Sequence, residues 1–186
     1  TKDFDFISGA DYHMFIGKMH TASGRSFSIS YNFGGMPPYL PEPLDLADER
    51  KTMLNDLIDY SSKHYVKNGN TYAKGLGENS AIMLMAKSID HQGFDNLKKG
   101  LKDELTDWFT FDESEKEAQQ RYFAEYPNYG AIIGFPPGYG SQGFNDLHFH
   151  NGYFSIGAAR LMMVDKEFKR DFAEMSKLVT KNFANW

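Results

Sequence analysis

Cysteine is missing from all 186 residues, which excludes disulfides and thiolate catalysis while leaving the compartment open. No apolar run approaches the roughly 20 residues needed to span a bilayer, so no membrane partner is expected. The first residues, Thr1-Lys2-Asp3-Phe4-Asp5, have no signal-peptide character, and the chain reads as soluble and trimmed. Basic charge is also short: 20 Lys and Arg stand against 25 Asp and Glu, a formal net charge of -5. With no basic face to neutralise phosphates, nucleic acid is excluded as a partner, and a neutral ligand suits the balance better. Neither an internal repeat nor a low-complexity tract is visible.

Aromatic residues are abundant instead, at 16% with eleven Tyr and sixteen Phe. Most of the Phe residues fit a helical core. Tyr126, Tyr129 and Tyr139 differ, because they fall in a Gly/Pro-rich stretch with no periodic burial face, where they are available to line a cleft.

The length suits one domain, or a piece of one. Its first forty residues have strand character. His13 to His20 and Arg25 to Phe33 flank Thr21-Ala22-Ser23-Gly24, and Phe27, Ile29, Tyr31 and Phe33 alternate, which predicts a hairpin. The breakers from Gly34 to Pro43 then connect it to a different kind of structure, dividing the chain into 1–43 and 44–186. Helical spacing follows over Leu46 to Val66, Thr71 to Asp90 and Phe94 to Phe109. The charged run Asp112 to Phe123 predicts a short helix or a surface excursion, and Ala131 to Phe135 a buried strand or extended segment. Helices return over Asn145 to Val164 and Lys166 to Phe183. Lys98, Lys99, Lys102, Asp103 and Glu104 read as a solvated stripe. The expected class is mainly α, a series of α-hairpins after a short β region.

Chemistry concentrates between Phe144 and Phe154, where Asp146, His148 and His150 stand among aromatic rings. A carboxylic acid can protonate a glycosidic oxygen, imidazoles can bind hydroxyls, and flat rings stack on pyranose faces. On a helix Asp146 and His150 share a face at i and i+4. His148 and His150 would hold a metal together with Asp146 on a strand, but on a helix they diverge by about 200°. The helical run to Val164 therefore argues against a metal, and no cofactor is expected. Asp146 has a plainer alternative as a helix N-cap. Capping and proton donation ask for opposite surroundings, since a helix N-terminus favours the charged carboxylate and a proton donor needs apolar neighbours such as Phe144, Phe149 and Phe154. The other histidines, His13, His20, His64 and His91, read as local surface groups. Glu78 and Glu125 are possible second carboxylates, better explained as exposed helix positions.

The run Tyr139-Gly140-Ser141-Gln142-Gly143-Phe144-Asn145-Asp146-Leu147-His148-Phe149-His150-Asn151-Gly152-Tyr153-Phe154 resembles the signature of glycoside hydrolase family 81, endo-β-1,3-glucanases, in which Asn-Asp-His-His-Phe-His-Tyr-Gly-Tyr-Phe is characteristic. Similarity extends through Tyr72-Ala73-Lys74-Gly75-Leu76, Leu101 to Phe109, Ser26 to Tyr31 and Met36 to Pro43, so it covers most of the chain. Leu147 replaces the first histidine of the family's pair, and Asn151 replaces a tyrosine.

The resemblance implies a β-1,3-glucan substrate, an extracellular or cell-wall location, and part of an (α/α)6 barrel. It implies Asp146 as general acid, His150 as an active-site histidine, and Tyr153, His148, Tyr139 and Asn145 as substrate-binding residues. The implied mechanism is inverting, which needs a second carboxylate about 6.5 to 9.5 Å from the acid. The family carries that base in a Glu-Ser-Thr-Ser-Glu-like motif several dozen residues further on, and none follows here. The expectation is a segment that holds the acid, lacks the base, needs the remainder of the catalytic domain as its partner, and is inactive and poorly stable alone. A non-catalytic glucan-binding or structural helical module is the alternative.

Overall fold

Five helices and two short antiparallel hairpins make up the residues that the computed structural model describes, which are 4–15, 17–26 and 46–184. The chain divides into two compact units, Thr1–Met36 and Pro37–Trp186.

In the first unit β1 (Phe4–Met14) pairs antiparallel with β2 (Gly17–Gly24), opposing Met14 to Gly17 and His13 to Lys18. Gly17 sits at φ 130°, a conformation open to glycine, and lets the chain reverse there. The hairpin predicted around Thr21–Gly24 is therefore displaced: Thr21–Gly24 lies inside a strand, and the turn falls between Met14 and Gly17. Cross-strand charge favours this register, since Asp11 accepts from His20 Nδ1 at 2.8 Å and pairs with Lys18 Nζ at 2.6 Å. The expected alternation of Phe27 to Phe33 and the breakers from Gly34 to Pro43 lie outside the described residues.

The second unit is built on α1 (Asp48–Lys63), α2 (Lys74–Ser88), α3 (Phe94–Phe109), α4 (Leu147–Met162) and α5 (Lys166–Lys181). All five helices lie where apolar spacing predicts them. In α3 the residues Leu97, Leu101, Leu105 and Trp108 fall on one face and are fully buried, while Lys99 pairs with Asp103 on the wet face. α5 starts from a conventional cap, with the Asp165 carboxylate accepting from Phe168 N–H at 2.8 Å.

α2 packs against α3 and α4, and α4 against α5. The approach of α2 to α4 depends on Gly157, where a Cβ would stand 3.2 Å from Leu76 Cβ. At their centre Phe154 meets Trp108 edge-on at 4.9 Å and Phe123 at 5.1 Å. Burying such rings contributes roughly 1.5–3 kcal/mol each, with about 0.5–1.5 kcal/mol more for an aromatic pair.

Between α3 and α4 the charged run 112–120 forms turns rather than a helix, held by Asp112 accepting from Ser114 N–H and Oγ. Ala131–Phe135 is strand β4 and pairs antiparallel with β3 (Tyr122–Tyr126). β4 leads into the loop from Pro136 to Asp146, which contains a single 3-10 turn at Ser141–Gly143 and delivers the chain to α4.

Glu104 overturns its assignment to a solvated stripe. It is 0% exposed and accepts from Tyr65 Oη at 2.6 Å, Asn68 N–H at 2.7 Å and Asn68 Nδ2 at 2.8 Å. Its three donors all come from the segment that joins α1 to α2, so a carboxylate amid surface lysines anchors that connection from below.

Candidate active site

Helix α4 begins unusually. Phe144 and Asp146 both have positive φ, 61° and 52°, so the chain enters the helix through left-handed turns. Asp tolerates this conformation better than most residues because its short polar side chain bonds locally. Asp146 occupies the N-cap position, and its backbone carbonyl accepts from Phe149 N–H at 2.9 Å and His150 N–H at 3.0 Å. Its side chain makes no capping bond. The plainer reading of Asp146 as a side-chain cap therefore fails: the position is a cap, yet the carboxylate is exposed and uncommitted.

One turn on, His150 is 2% exposed, and its Nδ1 lies 3.0 Å from the carbonyl oxygen of Thr71. A carbonyl oxygen can only accept, so Nδ1 carries the hydrogen. His148 points away, as helical spacing predicts; it is exposed and lies against Phe149 at 4.4 Å. Among the described residues no three His, Cys, Asp or Glu side chains stand together in a metal-binding group.

Tyr139, 75% exposed, and half-buried Tyr153 come together through a residue the motif does not contain. Tyr72, at the entry to α2, meets Tyr139 at 4.8 Å, His150 at 5.9 Å and Tyr153 at 6.1 Å, each edge-on. Three phenols thus share one surface, with the buried His150 imidazole against Tyr72. Asn145 lies in the same loop as Tyr139, its Nδ2 3.6 Å from where a Cβ on Gly140 would stand. Sequence spacing could not assign Tyr72 or Thr71, which lie 78 and 79 residues before His150. The signal available was the short stretch from Tyr72 to Leu76, which carries part of the family resemblance.

The three phenylalanines expected around Asp146 separate. Phe154 turns into the core, Phe149 is exposed beside His148, and Phe144 packs against Tyr129 at 5.6 Å. The possible second carboxylates are both exposed: Glu78 pairs with Lys74 at 3.0 Å, and Glu125 lies on β3.

This is a helical-hairpin fold that presents a free carboxylate, a fixed imidazole and a group of tyrosines at the head of one helix. No family model matches the chain. It is 31% identical over 180 residues to a glucan endo-1,3-beta-D-glucosidase of Acetivibrio thermocellus, covering 94% of this chain and 23% of that protein. A glucan endo-1,3-beta-D-glucosidase of Thermobifida fusca is 33% identical over 159 residues, covering 82% of this chain and 20% of that one. A solved structure of a glycoside hydrolase family 81 variant from Clostridium thermocellum superposes with a TM-score of 0.72 at 30% identity, over 95% of this chain and 25% of that one. These matches identify the chain as a segment of glycoside hydrolase family 81. The segment spans no more than about a quarter of the length of the relatives it matches.

Proposed function

We propose that the protein containing this chain hydrolyses internal β-1,3-glucosidic bonds of laminarin-type β-1,3-glucan with inversion, Asp146 protonating the leaving oxygen. The observation that carries this reading is the exposed Asp146 carboxylate, left without a capping bond at the head of α4 and one turn from His150. A proton donor must have its oxygen free to reach the glycosidic atom, and a capping carboxylate would not. Tyr72, Tyr139 and Tyr153 offer faces for pyranose rings, and Asn145, His148 and His150 offer hydrogen bonds to hydroxyls. The names of the relatives support the substrate class.

In this reading the helix pairs of residues 44–186 belong to an (α/α)6 barrel, and residues 1–43 are the β region and connection before it. The remainder of the catalytic domain supplies the base, and the protein works outside the cell or at the cell wall, where polymeric glucan is met. Reducing-sugar release from laminarin by the full-length protein and its Asp146→Asn variant tests the proposal, with product anomers read by NMR immediately after cleavage. Equal turnover by the two proteins removes Asp146 as the acid. Glucan binding without turnover by the unaltered protein favours a non-catalytic binding module.

A further inference from the structure

Thr71 is buried, with 1% of its surface exposed, yet every polar atom it has is engaged. Its N–H donates to Pro136 O at 3.0 Å, and its Oγ1 accepts from Gly138 N–H at 2.7 Å and shares a hydrogen bond with Ser141 Oγ at 2.8 Å. Its carbonyl receives His150 Nδ1–H at 3.0 Å. One residue at the entry to α2 therefore ties down both the loop that carries Tyr139 and the imidazole on α4. Gly138 is fitted to this contact, since a Cβ there would stand 2.8 Å from Asn70 Oδ1 and 2.9 Å from Tyr72 N.

We infer that Thr71 is a positioning residue, which fixes His150 as the Nδ1–H tautomer so that its Nε2 accepts a hydrogen bond from a glucosyl hydroxyl, and which holds Tyr139 against Tyr72 beside it. The inference rests on the glucan reading of the same site. His150 Nε2 has no hydrogen-bond partner among the described residues. With the hydrogen held on Nδ1, the neutral ring has a lone pair at Nε2 and nothing to donate there. His150 thus receives a hydroxyl proton in a hydrogen bond, and proton donation to the leaving oxygen stays with Asp146.

The test uses the full-length protein with Thr71→Val, which at nearly constant volume removes the hydroxyl that holds the Tyr139 loop but keeps the carbonyl that receives His150 Nδ1–H, and Thr71→Ser, which keeps both. Thr71→Val is expected to raise KM for laminarin about tenfold while kcat stays within about threefold, and Thr71→Ser to restore the unaltered KM. A lower melting temperature with unchanged KM would reduce Thr71 to a structural residue and overturn the inference. Nitrogen NMR of the histidine-labelled, unaltered protein gives an independent reading, with Nδ1–H at His150 expected and Nε2–H overturning it. If the unaltered protein releases no sugar, the glucan reading fails; if it is active and Thr71→Val matches it, only this inference fails.

Discussion

Glu104 and Asp146 are carboxylates on neighbouring helices, and their surroundings are opposite. Glu104 has three donors within 2.8 Å and no solvent, whereas Asp146 is exposed and contributes only its backbone carbonyl to the helix it heads. Burial, and then the charge of Glu104, push the Tyr65 phenol far above the usual tyrosine range, so it remains a donor to that carboxylate. Glu104 spends its hydrogen-bonding capacity on holding Tyr65 and Asn68, a few residues before Thr71 and Tyr72. The comparison separates a charge consumed in building the scaffold from a charge the scaffold leaves free.

The sharpest way to break the comparison is Asp146→Asn. Turnover is expected to fall by about 10²–10⁴-fold, with stability changed by less than about 0.5 kcal/mol, read by sugar release and by denaturant unfolding of the same preparation. Glu104→Ala reverses the pattern. It leaves three partly buried donors without their acceptor and is expected to cost about 2–4 kcal/mol in urea unfolding. A loss below about 1 kcal/mol would mean that the two carboxylates do not differ in the way described.

Gly138→Ala lies between the two, forcing a methyl group against Asn70 and the Tyr72 backbone. A cost of about 1–3 kcal/mol is expected, accompanied by weaker laminarin binding because the Tyr139 loop must shift. The smallest effect belongs to Asp165, the ordinary cap. Burial raises its pKa, but the Phe168 N–H and Lys102 outweigh burial and hold the carboxyl below the usual aspartate value. Its folded pKa is depressed, so the stability it adds is present above about pH 4 and is lost as pH falls through the folded value. Asp165→Ala should cost about 1 kcal/mol near neutrality and flatten the acid limb of a pH–melting curve.

Much of this was legible in the sequence where a short-range period carries the signal. Helix α3 runs from Phe94 to Phe109 as its Leu97, Leu101, Leu105 and Trp108 spacing requires, and i to i+4 geometry alone separated His150 from His148. Long-range pairing was illegible. β3 is a five-residue strand in a charged stretch, defined only by its partner β4. Thr71 and Tyr72 join the site across more than seventy residues. Glu104 deceived because composition reports the charge of a stretch and not which of its members turns inward. The first hairpin was misplaced because Thr21-Ala22-Ser23-Gly24 has turn composition and the apolar pair Phe15-Ile16 does not, leaving the register to Asp11 and Gly17.

The left-handed backbone at Asp146 also bears on how such a protein drifts over time. Among the residues one base change away from an aspartate codon are asparagine and glycine, the two that accept positive φ most readily. On the proposed reading, either would silence the proton donor while leaving the head of α4, its imidazole and its tyrosines in place. Lineages that lost the chemistry by this route would keep the folded surface that the proposal assigns to glucan, available for adhesion alone.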